Sequence, residues 1–434
     1  MATANIESLG AILKDFYLGP LQEQLNNEVL ALDLFEKATV DWNGKQVIIP
    51  VHVGRNTGVD FTTEGGTLPT ATRQSFANLT VTARFLYGKF QITGPAISAA
   101  KSGGKNSFIG YVDAEMNKLV DDVRNSANSA CFSGGRVVGF LNQKKAGGVG
   151  EVWDFTGDTA KVQALLTAVG GNIAFTVIRM DTYETHTDDV GVSAVSTTLG
   201  TVDLEKIVNT AAVPEGVALA CSVRTSGGGA EPAAITALDA EPSGIFGNLS
   251  ATSHFGVDRS DAGGDNEALQ SIVHCVQSAD GGGDPRADVS LGELQRLLDE
   301  ISIASDSVPN LFLVHPSFRQ EYAQILLGTS GGNLTKEVSS VGKADGGFSS
   351  LSYNNIAMRV SRAAPKGAVI ALRTDTWKLC ELEGGGFADL DGAILSRSAT
   401  TDEWSGFYRW YYDTVCVRPN ANGMLVGLNY PGAA

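Results

Sequence analysis

Two stretches of two-residue alternation flank a Gly- and Thr-rich span, and they limit the possible folds of this chain more than any other feature. In the first, Val47, Ile49, Val51 and Val53 alternate with Ile48, Pro50 and His52, the repeat of a strand with one better-packed face. The second runs over about 74–92 with Leu79, Val81, Ala83 and Phe85 on one face, and residues 54–73 form a tip between the two. Together they predict one extended hairpin. A two-stranded ribbon of that length is marginal alone and cannot bury its own apolar face. It must lie on something else, and another subunit is one candidate.

Charge is unevenly spread along the chain. Residues 42–105 carry seven Lys or Arg (45, 55, 73, 84, 89, 101, 105) against Asp60 and Glu64, whereas 181–300 carry 20 acids against five bases. A basic hairpin on an acidic chain suits complementary subunit contacts, because opposed patches steer encounter and set register. The plainer reading, that charge follows loop composition, stays open. The net charge of −16 argues against a surface that grips phosphates over most of its area.

The 434 residues allow two or three domains and a sizeable core. With 51 glycines and 13 prolines the chain predicts many turns and short strands, an α+β or β-rich architecture. Cys131, Cys221, Cys275, Cys380 and Cys416 are far apart and odd in number, with no C-x-x-C, so neither zinc site nor disulfide framework is signalled and a reducing compartment is expected. No basic-then-apolar leader and no membrane-length apolar run is found, which predicts a soluble chain made inside the cell.

Residues 5–37 read as an amphipathic helical arm interrupted at Gly19-Pro20. Residues 107–132 place Phe108, Val112, Met116, Leu119, Val123, Ala127 and Cys131 on one helical stripe, with Ser107 as N-cap. That long helix is either a core helix or a backbone for the whole subunit. Residues 134–241 are dense in β-branched residues and turns and predict a β-rich insertion. Ser290 and Glu293 form a capping box ahead of Leu294, Leu297, Leu298 and Ile301. A strand at 310–314 then feeds a helix over 316–327, with Pro316 at its first position. The last hundred residues alternate strands and Gly turns, ending in strands at 407–417 and 423–428.

Recognisable chemistry is missing. Gly328-Thr-Ser-Gly-Gly332 satisfies G-x-S-x-G, but an elbow serine needs a strand before it, and here a helix precedes. No phosphate-cradling Gly motif is present. The acidic runs Asp258, Asp261, Asp265, Glu267 and Asp280, Asp284, Asp288 lack Ca²⁺-loop spacing, and His52, His186, His254, His274 and His315 are scattered. No catalytic, cofactor or metal residue is assigned, and the chain is not expected to be an enzyme.

The order of elements resembles the Hong Kong 97-type major capsid proteins of tailed bacteriophages, over nearly the whole chain. The resemblance rests on Glu64-Gly-Gly-Thr-Leu-Pro-Thr-Ala71 at the hairpin tip, Ile92-Thr-Gly-Pro-Ala-Ile97 leading into the long helix, and Leu311-Phe-Leu-Val-His-Pro-Ser-Phe-Arg319. It implies an α+β fold with an N-terminal arm (1–41), an extended E-loop hairpin (42–105), a long spine helix and the start of the P domain (106–150). A β-rich insertion (151–240), P domain (241–308), A domain (309–392) and C-terminal return to the P domain (393–434) would follow.

As function the resemblance implies self-assembly into the hexamers and pentamers of an icosahedral shell around packaged double-stranded DNA, with each E-loop lying over a neighbour. The implied partners are further copies of the chain, a separate scaffolding protein, a portal protein and, in some shells, a decoration or cement protein. DNA is touched only loosely and non-specifically, no membrane is involved, and no cofactor is needed. The shell would be assembled in the host bacterial cytoplasm and found in the virion. The acidic chain fits this, since it would not hold the genome by counterion release. The residues expected at the subunit interface are Arg55, Arg73, Arg84 and Lys89 in the hairpin, facing Asp113, Glu115, Asp121 or Asp122 on a neighbour's spine. Two other readings remain: an encapsulin-like nanocompartment shell, and a β-rich carbohydrate-binding protein using Phe407, Tyr408, Trp410, Tyr411 and Tyr412 as a sugar platform.

Overall fold

A computed structural model describes residues 30–37, 46–96, 105–133, 137–145, 151–157, 173–179, 185–196, 201–204, 218–225, 242–250, 253–259, 266–276, 288–329, 351–389 and 400–428, with isolated positions between them. The first elements are α1 (Leu30–Leu34), β1 (Glu36–Lys37), β2 (Gln46–Gly54), β3 (Ser75–Thr82), β4 (Arg84–Thr93) and α2 (Lys105–Ser133). Next come β5 (Val137–Lys145), β6 (Glu151–Gly157), β7 (Ile173–Arg179), β8 (Thr185–Ser196), β9 (Thr201–Leu204) and β10 (Ala218–Thr225). They are followed by α3 (Ile245–Ser250), β11 (Ser253–His254), β12 (Val257–Asp258), β13 (Ile272–Cys275), α4 (Leu291–Ser305), β14 (Leu311–Val314) and α5 (Pro316–Thr329). The chain closes with β15 (Leu351–Tyr353), β16 (Ile356–Val360), β17 (Ala368–Leu372), β18 (Trp377–Phe387), β19 (Ser396–Arg397), β20 (Glu403–Cys416) and β21 (Gly423–Val426).

The predicted strand over 74–92 is two strands. β3 turns Leu79 and Val81 inward, β4 turns Gly88, Phe90 and Ile92 inward, and the phase slips by one residue at Ala83. Phe85 therefore leaves the face that Leu79 and Val81 share and is 58% exposed. A one-residue slip flips every following side chain to the other face, and here it also changes the partner. β3 pairs with β2, whereas β4 pairs with β20 from Arg84↔Tyr412 to Thr93↔Glu403.

β20 is the central strand of a five-stranded sheet, with β4 on one edge and β18 and β19 on the other, and β1 runs parallel beyond β18. Its even face buries Tyr408, Trp410 and Tyr412 against α1, α2 and α3. α2 lies close under β4: a Cβ added to Gly88 would come 2.7 Å from Cγ2 of Val123. Of the predicted stripe, Val123, Ala127 and Cys131 are buried and Met116 and Leu119 half-buried, while the Phe108 and Val112 side chains lie outside the described residues. Ser107 is not its N-cap, because the helix already starts at Lys105. The predicted arm helix ends at Leu34, where β1 takes over, and residues 1–29 lie outside the described residues. α1 is tied to α2 by Asn128, whose side-chain oxygen accepts from the Ala31 N–H at 2.8 Å and so satisfies a donor at the open start of the short helix.

A second, mixed sheet has the order β13-β21-β17-β14-β16-β15. β14 and β17 are buried at every residue, which fits their unbroken apolar runs. One face packs Leu313, Ile370 and Val426 into the core shared with the first sheet, and the other packs Phe312, Val369 and Leu425 against α4 and α5. β18 sits with β20, while β13 and β21 sit with β14 to β17. α4 starts as predicted, with the Ser290 Oγ accepting from the Gly292 N–H at 3.1 Å. Glu293 does not complete the box and turns to Arg296 at 3.8 Å. Pro316 opens α5, which reaches Thr329, and Ser330 lies outside the described residues.

The β-rich segment closes into a six-stranded barrel, β10-β5-β6-β9-β8-β7. Closure removes the sheet edges that otherwise invite pairing with other chains. Trp153, Phe155, Phe175, Val192 and Val202 are buried in it. Phe140 meets Phe246 of α3 at 5.1 Å, and Asp154 forms an ion pair with Lys366 ahead of β17. Burial and the nearby Lys366 and Arg362 cations push His315 down to about 4, against the opposing pull of Asp154.

Candidate functional site

The β2–β3 ribbon pairs from Gln46↔Thr82 to Gly54↔Ser75, with an irregularity after His52. Its inward residues Val47, Leu79 and Val81 pack with Cys380 and Val415 of the first sheet and with Leu269, from the 3-10 turn Glu267–Leu269 ahead of β13. The β11–β12 hairpin supports it from the side, the Thr80 N–H donating to the Phe255 carbonyl at 3.0 Å.

Beyond this root the ribbon opens into a tip held by its own polar groups. The Thr72 hydroxyl accepts from the backbone N–H of Thr57 at 2.8 Å and of Gly58 at 3.0 Å, and donates to Asn56 Oδ1 at 2.5 Å. The turn closes with the Gly66 N–H on the Thr63 carbonyl at 2.8 Å, and Gly65 takes the left-handed φ of 76° that glycine tolerates. On this braced loop Val59, Phe61 and Leu68 are 83%, 103% and 81% exposed.

The eight predicted interface residues occupy different settings. Arg55 and Arg73 are exposed where the tip leaves the ribbon, and Lys89 is exposed on β4. None of these three forms an ion pair among the described residues. On α2, Glu115 is half-buried, Asp121 pairs with Lys118 at 3.8 Å, and Asp122 is exposed. Partial burial, then its neighbour Asp121, raises the Asp122 carboxyl, with Lys118 opposing. The Asp113 side chain lies outside the described residues. Arg84 differs from the other hairpin cations: it is half-buried at the root, its Nε is buried without a hydrogen-bond partner, and its charge acts on Asp413.

The aromatic strand splits between two faces, as strand geometry demands. Tyr408, Trp410 and Tyr412 are core, with the Trp410 Nε1–H donating to Glu381 at 3.1 Å. On the opposite face Tyr411 bonds the Tyr87 hydroxyl at 2.8 Å, meets Phe85 edge-on at 4.9 Å, and lies under Arg409, which pairs with Glu383 at 2.5 Å. Interior packing of three of the five rings removes the one-sided platform a sugar would need.

Sequence reading missed two buried groups at the root. Asp413 is 1% exposed, and its Oδ1 accepts from the backbone N–H of Ser243 and of Thr414, each at 2.7 Å. Burial pushes it up to about 7, with both backbone donors and Arg84 holding it back. His254 is equally buried, bonded through Nε2 to the Cys416 carbonyl at 2.9 Å, and burial and Arg259 push it down to about 3. Neither carries a local signal, since the residues that bury them are distant in sequence. Among the described residues no group of three or more His, Cys, Asp or Glu side chains converges as a metal site.

No family model and no curated protein sequence matches the chain. Solved structures do. The cyanophage A-1(L) capsid asymmetric unit aligns over 98% of this chain and 99% of its own, at 10% identity and a TM-score of 0.56. The capsid of a native GTA particle aligns over 99% and 100% at 9% identity and a TM-score of 0.49. Mycobacterium phage Bobi aligns over 98% and 99% at 11% identity and a TM-score of 0.42. The first of these shows, from end to end, that the chain has the fold of a phage capsid protein.

Proposed function

We propose that this chain is the major capsid protein of a tailed bacteriophage, with the Hong Kong 97-type architecture and a barrel inserted between its spine helix and the rest of its P domain. The observation that carries the reading is the projecting hairpin. Its root is buried in its own subunit, while Val59, Phe61 and Leu68 at its tip have nothing to pack on. A second subunit is the natural cover. Repeated around a closed ring, such contacts give the hexamers and pentamers of an icosahedral shell enclosing double-stranded DNA.

In this reading residues 1–41 form the arm, 42–105 the E-loop, 106–150 the spine and first P-domain segment, and 151–240 the insertion. Residues 241–308 and 393–434 complete the P domain around an A domain at 309–392. Arg55, Arg73 and Lys89 face Asp113, Glu115, Asp121 or Asp122 of a neighbour, while Arg84 serves mainly its own root. Single exposed pairs are worth about 0–1 kcal/mol each, so these act by repetition. A separate scaffolding protein, a portal and in some shells a cement protein complete the particle, built in the bacterial cytoplasm.

Negative-stain electron microscopy of the chain, alone and with a candidate scaffolding partner, tests this. Closed shells, tubes or capsomers are expected. A persistent monomer under both conditions would overturn it.

A further inference from the structure

Continued past Arg84 in the register that β4 holds with β20, the strand would set Thr82 against Thr414 and Thr80 against Cys416. Neither pair forms. Thr82 and Thr80 pair with Gln46 and Ile48 of β2 instead, and side chains take the edge of β20 that β4 leaves. The Thr414 carbonyl accepts from Asn248 Nδ2 at 3.2 Å, and the Cys416 N–H donates to Asn248 Oδ1 at 2.9 Å. The Cys416 carbonyl accepts from His254 Nε2 at 2.9 Å, and the Thr414 N–H donates to its neighbour Asp413 at 2.7 Å. All four backbone groups of Thr414 and Cys416 are thus satisfied without a strand, as burial of these residues demands.

The β11–β12 hairpin that caps β20 also holds β3. One residue after His254, the Phe255 carbonyl accepts the Thr80 N–H at 3.0 Å, so His254 and Phe255 link the two backbones that a longer β4 would have paired directly. Their turn takes positive φ at Phe255 (48°) and at Gly256 (87°), a conformation that suits glycine and is rare for a bulky side chain. α3 and the turn are tied together, because Arg259 Nη1 donates to the Asn248 carbonyl at 2.8 Å and to the Leu269 carbonyl at 3.1 Å.

We propose that Asn248 and the His254–Phe255 turn act as a wedge that keeps β3 off β20 and so sets Ala83 as the point where the hairpin leaves the sheet. A buried strand edge must be satisfied, and more of the same strand would do it. The Asn248 amide offers one acceptor and an N–H group, as a peptide does, and takes that place. β3 is then left to pair with β2, and the ribbon exists as a separate two-stranded element.

This inference does not rest on the shell reading and is tested on the unassembled full-length chain by amide hydrogen exchange. Cys416 and Thr80 report the two sides of the wedge, and residues 86–92 of β4 report the sheet in general. In Asn248→Ala the Cys416 amide should exchange at least about tenfold faster. Thr80 and Thr82 should speed up with it, although Thr80 bonds Phe255 rather than Asn248, while 86–92 change by less than about twofold. A faster Cys416 with Thr80 and Thr82 unchanged would make Asn248 a simple edge cap and overturn the wedge, as would an even loosening that includes 86–92. Should Asn248→Ala fail to fold, Thr414→Val takes its place, since it keeps the shape and removes only the hydroxyl that donates to the Ser243 carbonyl ahead of α3. The same three amides should then exchange about two- to fivefold faster with 86–92 steady, and no change at Thr80 and Thr82 would overturn the proposal.

Discussion

The root and the tip of the β2–β3 ribbon belong to one continuous hairpin and are opposite in what holds them. At the root, Val47, Leu79 and Val81 are at most 2% exposed, and the burial is supplied by residues near 255, 269, 380 and 415. At the tip, Phe61 is fully exposed, and the backbone is held by the Thr72 hydroxyl and a Gly65 turn. In the proposed reading the alternating strands thus serve folding at the root, while the Gly- and Thr-rich tip between them serves association. Hydrophobic burial fixes the root, and local polar bracing presents the tip ready-made, which lowers the ordering cost of binding.

The largest effect should come from the root. Leu79→Ala should cost about 2–5 kcal/mol in denaturant unfolding, whereas Phe61→Ala should change stability by no more than about 0.5 kcal/mol. Equal costs would erase the contrast. Gly88→Ala probes the packing of β4 on the spine-side helix rather than the ribbon, since its Cβ would press on Val123 of α2, and a loss of about 1–3 kcal/mol is expected. A neutral result would mean that β4 and α2 can part without penalty.

The acid limb of stability sharpens the comparison next. His254 has a folded pKa below its unfolded value, so the unfolded chain binds the extra proton and stability falls as pH drops from about 6.5 towards about 3. Replacing it with Gln should flatten that limb by on the order of 1–2 kcal/mol, read as the difference between the two pH curves. Asp413 acts with the opposite sign in an overlapping window and is common to both curves. An unchanged slope would show that His254 is not held neutral.

Smallest in stability and largest in association is the double reversal of Arg55 and Arg73 to Glu. Unfolding should shift by about 0.5 kcal/mol or less, while particle formation in electron micrographs should fail. Normal particles would remove these residues from the interface. Arg84 is unsuited to that test, because a second acid beside Asp413 would disturb the root itself.

Several parts of this fold were legible from local signals: the alternation at 47–53, the long helical stripe, the Ser290 cap, Pro316 at a helix start, and the strand-rich insertion. Each depends on a period or a cap, which neighbours along the chain determine. Arg55, Arg73 and Lys89 were legible as exposed cations, but what they face was not. Arg84 looked like another of them until the structure placed it beside Asp413, 329 positions away.

What the sequence alone determined, then, was element type and the existence of a ribbon that needs outside support. Only the tertiary structure decided that the second strand slips at Ala83 and joins β20, that the insertion closes into a barrel, and that Asp413 is buried. The physical reason is that strand partners and burial come from residues far away in sequence, and a period of two reads the same whichever sheet the strand enters.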